Sequence, residues 1–283
     1  MNVIGIGSVG CAVADKLKSY PQYKVYKIDH DLKGLKKDGE FNFPHLASLE
    51  DYESRCPTMK NFLKNVNGET TLFVSGQDEL CAATLKILET VKDRAKIDMI
   101  YFKPDSDLSS AAVRLMDNAA FNIFQEYARS GMFNKAYLVS QELLGSAVGD
   151  VSILEFQNKT AELISFMFHI INVMRNSNPV YDNFTPEIDI ARIATLGMSS
   201  IEDIEETLLY PLQYANEKTY YYLIPEQTLQ EDTKLMKKIT NQVKKHTKDG
   251  KIKINFGVYQ SEYSDPFVYV VSNSSMIQGV DLS

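Results

Sequence analysis

The spacing of apolar and polar positions at the start of the chain predicts a strand, then a helix, then a second strand. Residues 3–6 form an apolar run that is typical of a buried strand. Val9, Val13 and Leu17 recur at the spacing of one helix face, and residues 23–28 alternate between polar and apolar side chains as a half-buried strand does. This order is that of a β-α-β unit, which is typical of a parallel sheet.

Strands and helices continue to alternate as far as residue 139. After a polar loop at residues 30–44, the pattern predicts helices over residues 49–66, 79–91 and 106–131, and strands over residues 70–74, 97–102 and 135–139. Such alternation is typical of an α/β fold, in which helices cover both faces of a mostly parallel sheet. We therefore predict a Rossmann-like, nucleotide-binding-like domain with a parallel sheet over residues 1–155.

The second half of the chain has a different pattern. Residues 160–174 carry apolar side chains around most of the helix axis, which predicts a long central buried helix within residues 156–178. The remainder predicts a helix that opens at Ser199, a strand over residues 219–224, a helix over residues 226–248, and a strand pair over residues 252–259 and 267–271. This order indicates a smaller α+β C-terminal domain over residues 179–283.

Composition narrows the classes of function. The net charge of −7 argues against direct binding to nucleic acid or to an acidic membrane surface. The three cysteines, Cys11, Cys56 and Cys81, lack the spacing of metal ligands, so we predict reduced thiols in a cytoplasmic protein and no metal site. The sequence shows neither a signal peptide nor an apolar run long enough to span a bilayer.

Glycines mark the turn between the first strand and the first helix. Gly5, Gly7 and Gly10 stand in a G-x-G-x-x-G frame, in which backbone N–H groups and the helix N-terminus can hold a phosphate group. Asp29 ends the second strand about 20 residues later, where dinucleotide-binding folds place an acid on the ribose hydroxyls. One interpretation is therefore a Rossmann-type NAD(P)-binding protein or oxidoreductase, although no residue pair suited to dehydrogenase chemistry accompanies the turn.

The chain also resembles the tubulin/FtsZ superfamily, over nearly its whole length and in the right order. Residues 5–12 and 28–35 are similar to the first phosphate loop and the segment after the second strand, and residues 72–76 to the strand that delivers the signature loop. The central helix and residues 186–192 resemble the helix that joins the two domains of that fold and the loop after it. Because this resemblance covers both halves of the chain, we give it more weight than the dinucleotide-binding interpretation.

The resemblance implies a ligand, a partner and a set of site residues. The implied ligand is GTP or GDP, with Mg²⁺, and the implied partner is a second copy of the chain in a longitudinal filament. The residues implied to bind the nucleotide are Gly5, Gly7, Ser8, Gly10, Cys11, Gly76 and Gln77, with Asp29 and Asp31 near the sugar. The implied catalytic residue is Asp189, which matches the first of two acids that complete hydrolysis in the site of the neighbouring subunit.

The chain departs from the family at the positions that carry the family's chemistry. Of the glycines in the signature loop only Gly76 remains, and Asp78 and Glu79 place carboxylates where phosphate would lie. These two acids either cap the next helix or recruit a cation. Arg192 stands where the second catalytic acid belongs, and arginine cannot serve as a base.

Three hypotheses remain open from the sequence. The favoured one is a divergent tubulin/FtsZ-like cytoskeletal protein that self-associates and has weak or lost GTP binding and hydrolysis. The second is a structural or adaptor protein that keeps the fold and binds no nucleotide. The third is the NAD(P)-binding protein. The degenerate loop leaves open whether the chain is an enzyme.

Overall fold

The structure of the protein is a computed structural model, which describes residues 1–32, 38–201, 205–247 and 251–279. The described chain divides into two units. The first unit comprises Met1–Ser165 together with Gly279, and the second comprises Phe166–Gln278. This division falls inside the helix Phe156–Arg175, so the domain limits at residues 155 and 178 stay predictions.

A parallel sheet forms the centre of the first unit. Its strands are β1 (Asn2–Ile6), β2 (Lys24–Asp29), β3 (Glu40–Asn42), β4 (Gly68–Ser75), β5 (Ala95–Lys103) and β6 (Lys135–Ser140). They are ordered β3-β2-β1-β4-β5-β6, and these neighbours are parallel. The central strands are buried almost throughout, as strands are when helices cover both faces of a sheet. The predicted α/β class with a parallel sheet is confirmed.

Helices connect the strands of this sheet. They are α1 (Gly7–Leu17), α2 (Leu49–Ser54), a 3₁₀ helix (Glu79–Ala83) that continues into α3 (Thr84–Val91), α4 (Ala111–Arg129) and α5 (Gln141–Val148). The hydroxyls of Ser48, Ser110 and Ser140 accept hydrogen bonds from backbone N–H groups in the first turns of α2, α4 and α5. These side-chain caps explain why the three helices begin where they do.

The elements of the first unit differ from the predicted ones at several points. The helix predicted over residues 49–66 ends at Ser54, because Pro57 lacks an N–H and disfavours helical backbone at the residue before it. The helix predicted from residue 106 begins at Ala111, because Ser110 is its cap. The predicted loop at residues 30–44 contains β3, and α5 was not predicted.

A mixed sheet forms the second unit, which begins within α6 (Phe156–Arg175). Its strands are β7 (Tyr181–Asp182), β8 (Ile193–Ser199), β9 (Thr207–Leu208), β10 (Glu217–Pro225), β11 (Lys253–Ser261) and β12 (Phe267–Ser274), and its further helices are α7 (Glu226–Glu231) and α8 (Leu235–His246). The strands are ordered β8-β12-β10-β11-β7, and β9 also pairs with β8. The pair β10–β11 is parallel, whereas β12 is antiparallel to both β10 and β8.

Helix α8 packs on one face of this mixed sheet. Alternate side chains of β10, those of Tyr220, Tyr222 and Ile224, point to the same side of the strand. They share one apolar core with Leu235 and Ile239 of α8. The face that α8 covers is therefore the one that carries the even-numbered residues of β10.

Strands β11 and β12 were predicted as a pair, but β10 lies between them. The chain passes from β10 through α8 to β11, and such a crossover joins parallel neighbours, after which β12 pairs with the other side of β10. The single helix predicted over residues 226–248 is also interrupted. The Asp232 carboxylate accepts a hydrogen bond from the Lys234 amide at 2.8 Å, in the turn that separates α7 from α8.

The helix predicted to open at Ser199 is not formed by the described residues. Ser199 ends β8, a strand that was not predicted, and the bridge to β12 continues up to this residue. Residues 202–204 and residue 248 of the predicted helices lie outside the described residues.

The predicted central helix is present as α6, which is 20 residues long. Ala161, Ile164, Met167, Ile170 and Ile171 are its buried apolar side chains. Among the described residues, no helix combines the length and the apolar character that a membrane crossing requires.

Candidate functional site

The glycine turn (residues 5–10) carries the chain from β1 directly into α1. Gly7 has φ +72°, a left-handed backbone that favours glycine. A Cβ on Gly5 would collide with the carbonyl group of Gly10, and a Cβ on Gly10 would collide with the carbonyl oxygen of Phe73 in β4. Gly5 and Gly10 are thus required by the close contact of α1 with the sheet, whatever the turn binds.

The carboxylate of Asp78 lies against this turn. Its Oδ2 accepts a hydrogen bond from the Ser8 amide at 2.9 Å, and a Cβ on Gly7 would collide with the same carboxylate. Its Oδ1 accepts a hydrogen bond from the Leu80 amide at 3.0 Å, at the start of the 3₁₀ helix. The prediction that Asp78 caps the following helix agrees with this contact. Its second contact, with the positive N-terminal end of α1, was missed.

Gly76 lies over a buried polar network. Its backbone N–H donates to the Phe102 carbonyl at 3.0 Å, and a Cβ on it would collide with Tyr101 Oη and the Asp117 carboxylate. Asp117 is only 3% exposed and accepts hydrogen bonds from Tyr101 Oη at 2.7 Å and from Lys103 Nζ at 2.6 Å. Burial, with the charge of Asp117 as a lesser contribution, raises the pKa of Tyr101 well above its usual value.

Asp117 was not among the predicted site residues. It shares the buried face of α4 with Phe121, Phe124 and Ala128, at helical spacing. An acid on an apolar helix face was therefore a signal in the sequence, because a buried carboxylate needs a partner.

Asp29 is the last residue of β2, and Asp31 follows it by two residues. Asp29 Oδ1 accepts a hydrogen bond from the His30 amide at 2.8 Å. Burial first, and then the negative charge of Asp78, raise the pKa of the Asp29 carboxyl. Asp31 has φ +48° and an exposed side chain whose Oδ2 lies 3.2 Å from His45 Nε2. Asp29 and Asp78 therefore place two negative charges close to each other beside the turn.

The second acid of the degenerate loop, Glu79, is held by an aromatic side chain. Tyr52, which is buried, donates from its Oη to Glu79 Oε2 at 3.0 Å. Tyr52 Oη also lies 3.1 Å from His30 Nε2. His30 Nδ1 donates to the Phe43 carbonyl at 2.9 Å, and the His45 ring stacks on the His30 ring with centroids 4.0 Å apart. Glu79 is thereby tied to the β2–β3 connection.

Cys11 and Gln77, both predicted to bind the nucleotide, lie in different surroundings. The Cys11 thiol is buried and directed at the carbonyl oxygens of Gly5 and Ile28, at 3.4 and 3.6 Å, and burial raises its pKa. Its side chain is thus turned away from the solvent side of the turn, which leaves only its backbone for a ligand. Gln77 is exposed, and its backbone N–H donates to Ser75 Oγ at 3.4 Å.

A cavity of about 300 Å³ lies beside the glycine turn, within the first unit. Val9 and Ala12 of α1 form part of its wall, and Gln77, Gln141 and Thr160 supply polar side chains. This size falls at the lower end of small-molecule pockets, and an apolar wall with a few amide and hydroxyl groups suits a flat heterocycle.

Asp189, the predicted catalytic residue, lies in the second unit, in the segment between α6 and β8. Its side chain is exposed, and its backbone carbonyl accepts a hydrogen bond from Arg192 Nε at 2.7 Å. Within the described part of the chain, no cluster of three or more His, Cys, Asp or Glu side chains is arranged to hold a metal ion.

Comparisons of sequence and of structure give different results. No family model matches the sequence, and no curated protein matches it. The structure, in contrast, matches the GTPγS-form protofilament of TubZ from Bacillus thuringiensis serovar israelensis with a TM-score of 0.71 and 12% identity, over 97% of this chain and 87% of that one. It has the tubulin/FtsZ fold.

Two further matches agree with the tubulin/FtsZ fold. CetZ from Methanosaeta thermophila strain DSM 6194 has a TM-score of 0.69 and 14% identity, over 98% of this chain and 87% of that one. The empty FtsZ dimer from M. jannaschii has a TM-score of 0.68 and 12% identity, over 96% of this chain and 87% of that one. The resemblance noted from the sequence is therefore confirmed at the level of the tubulin/FtsZ fold.

Proposed function

We propose that this protein is a divergent tubulin/FtsZ-like cytoskeletal protein that self-associates longitudinally and binds GTP or GDP weakly or not at all. The fold supports the cytoskeletal part, because TubZ with this fold is a protofilament and FtsZ with this fold is a dimer. The observation that carries the nucleotide part is the hydrogen bond from the Ser8 amide to the Asp78 carboxylate.

This hydrogen bond occupies the place that a phosphate would need. The N-terminus of a helix binds one anion through its free N–H groups, and here that anion is part of the chain. A phosphate at the turn would have to displace Asp78 and then lie near Asp29, whose pKa already responds to the Asp78 charge. Two like charges about 4 Å apart repel by about 4 kcal/mol at an effective dielectric of about 20. The residues of the turn therefore do not fit the phosphate groups of a nucleotide as they stand.

Residual nucleotide binding, if retained, would depend on the cavity beside the turn. Gln77, Gln141 and Thr160 offer hydrogen bonds to a base, and the wall of α1 offers apolar contact. The predicted binding residues Gly5, Gly7, Ser8, Gly10 and Gly76 stay proposals in that role, as do Asp29 and Asp31 near the sugar. Contact with a base but not with phosphates gives weak binding.

Hydrolysis by a pair of acids is not part of this proposal. Asp189 is an exposed carboxylate that a neighbouring subunit could receive, but Arg192 occupies the second position and only donates hydrogen bonds. We therefore assign Asp189 to a longitudinal contact between copies, and we expect slow or absent GTP turnover.

Further features support a cytoplasmic protein whose main partner is a second copy of itself. Cys11, Cys56 and Cys81 are free thiols, as expected in a reducing compartment. The net charge of −7 disfavours direct contact with nucleic acid. A structural or adaptor protein without any nucleotide is the second candidate, and the same position of Asp78 favours it.

Sedimentation velocity and thermal unfolding of the purified chain test this function together. We expect the sedimentation coefficient to rise with protein concentration, equally with and without GTP and Mg²⁺. We also expect GTP, GDP, ATP and NAD each to leave the melting temperature nearly unchanged. A ligand at a hundredfold excess over its Kd would stabilise the fold by about 2.7 kcal/mol, which a melting curve detects.

Self-association and the absence of nucleotide binding are contradicted by different results. A chain that stays monomeric at every concentration would exclude self-association. A stabilisation of that size by GTP would show that Asp78 does not close the turn. A stabilisation by NAD alone would favour the dinucleotide-binding interpretation, which rests on Asp29.

A further inference from the structure

The second unit contains a cavity of about 290 Å³ at one end of the sheet face that α8 covers. Lys218 lies on this face, because it is two residues before Tyr220 along β10. Ser272 of β12 is the antiparallel partner of Lys218 in the sheet register, and His246 lies in the last turn of α8. Together with Gln213 and with Lys251, which precedes β11, these side chains form the polar part of the lining.

The charges around this second-unit cavity are positive. Among the described residues that line it are Lys218 and Lys251 but no Asp or Glu. Lys218 Nζ donates to Glu206 Oε2 at 2.5 Å, and Glu206, whose side chain is 8% exposed, also accepts a hydrogen bond from Tyr220. Within the described part of the chain, Lys251 makes no ion pair. Among the described residues, the positive charge of Lys251 at the edge of the cavity therefore has no compensating partner, in a chain whose net charge is −7.

Two side chains of the lining carry a buried polar atom that has no hydrogen-bond partner within the described residues. Ser272 is fully buried, and neither its Oγ nor His246 Nε2 has a hydrogen-bond partner among the described residues. Burial lowers the pKa of His246, although the nearby Glu206 opposes this, so its ring is neutral at neutral pH. His246 Nδ1 faces Glu206 Oε1 at 3.4 Å, which leaves Nε2 as an acceptor. Such orphaned atoms are rare in native proteins, because each has lost its hydrogen bonds to water.

The rest of the lining is apolar. Leu208, Leu212, Tyr214 and Ile252 contribute hydrophobic surface, and Ala215 leaves space between them. A ligand for such a site needs an apolar body together with a charged or polar end, since pockets of this size combine apolar walls with a few polar groups that fix orientation.

We propose that the second-unit cavity binds a small organic anion, a carboxylate with a flat or branched apolar body. The carboxylate of the ligand lies at Lys251, where it can accept a hydrogen bond from the Ser272 hydroxyl. The apolar body lies against Leu208, Leu212 and Ile252. His246 Nε2 accepts a hydrogen bond from any hydroxyl or N–H that the ligand carries. This binding does not depend on the glycine turn or on a nucleotide.

The test compares three aromatic probes of one shape and different charge, benzoate, benzyl alcohol and benzylammonium, by ligand-observed NMR titration of the full chain. We expect benzoate to bind more tightly than benzyl alcohol, and benzylammonium to bind least. Lys251→Gln should weaken benzoate by up to about fivefold, the range of an exposed charge pair, and leave benzyl alcohol unchanged. Ser272→Ala should also weaken benzoate, through the lost hydrogen bond.

The matched control is Lys245→Gln, which removes the same charge from the last turn of α8 at a residue that does not line the cavity. We expect this variant to bind benzoate as the unaltered chain does. Binding of none of the three probes would mean that the cavity holds only water and would overturn the proposal. So would a preference for benzylammonium, or an equal loss of benzoate affinity in the Lys245 and Lys251 variants.

Discussion

The glycine turn of the first unit and the cavity of the second unit are both suited to an anion, but only the first already contains one. At the turn, the Asp78 carboxylate lies on the Ser8 amide, and Asp29 adds negative charge nearby. At the cavity, Lys251 makes no ion pair within the described residues, and the Ser272 hydroxyl is buried without a partner. The glycine turn thus keeps the sequence of a phosphate-binding motif although the Asp78 carboxylate occupies its anion site. The second-unit cavity, which we propose to bind an anion, has no recognisable sequence motif.

The motif persists because its glycines also serve packing. Gly5 and Gly10 let α1 approach β1 and β4 more closely than any side chain would allow. Gly7 takes a backbone conformation that other residues rarely adopt, and it gives Asp78 room. A stable first unit therefore needs glycine at all three positions even without a nucleotide. The G-x-G-x-x-G frame is for this reason weak evidence for phosphate binding in this chain.

Gly10→Ala tests this packing role and should have the largest effect. The new Cβ would collide with the Phe73 backbone carbonyl, which is held in the sheet and cannot move aside, so α1 must shift. Overpacking of this kind should lower the free energy of unfolding by about 3 kcal/mol, measured by urea denaturation without any ligand.

Gly68→Ala is the matched control for Gly10→Ala. Gly68 has φ +66°, and a Cβ there would meet no atom of the described chain within 4 Å, so only backbone strain of about 1 kcal/mol is expected. An equal decrease in the free energy of unfolding in the two variants would mean that packing does not require glycine at position 10. The motif would then again favour phosphate binding.

The sequence predicted those features that depend on local patterns. Residues 3–17 specify β1 and α1 by their own periodicity, and alternating elements specify a parallel sheet. The contact between Asp78 and Ser8 could not be predicted, because it joins residues 70 positions apart. The neighbours of β11 and β12 were missed for a similar reason, since the side-chain pattern of a strand does not say which strand lies beside it.

The second-unit cavity was invisible in the sequence for the same reason. Lys218, His246, Lys251 and Ser272 are ordinary polar residues in four separate segments, and only the sheet register and the end of α8 bring them together. The charge of the turn, in contrast, was partly visible, because Asp78 and Glu79 stand within the degenerate loop itself.

Asp78→Ala should open the turn and has the next largest expected effect. The variant loses the side-chain contacts to Ser8 and Leu80, which should cost about 1 kcal/mol of stability, as the loss of a helix cap does. Because the N-terminus of α1 is then free, GTP with Mg²⁺ or pyrophosphate should raise the melting temperature of the variant but not of the unaltered chain.

Ser110→Ala is the control for this experiment. It removes the cap of α4, whose hydroxyl accepts from the Val113 amide at 3.3 Å, and should cost a similar amount of stability without any response to phosphate compounds. A phosphate response in the unaltered chain, or none in Asp78→Ala, would remove the contrast between a filled and an unfilled anion site.

The smallest expected effect comes from paired serines on β12, both fully buried. Ser272→Ala removes a hydroxyl that has no hydrogen-bond partner among the described residues, so the free energy of unfolding should stay the same or rise by up to about 1 kcal/mol. Ser274→Ala should instead lower it by about 1 kcal/mol, because the Ser274 Oγ accepts a hydrogen bond from the Met276 amide at 3.1 Å. Urea denaturation of the two variants measures both changes on one strand. If Ser272→Ala costs as much as Ser274→Ala, the Ser272 hydroxyl already has a tightly bound partner, and the second-unit cavity is as filled as the glycine turn.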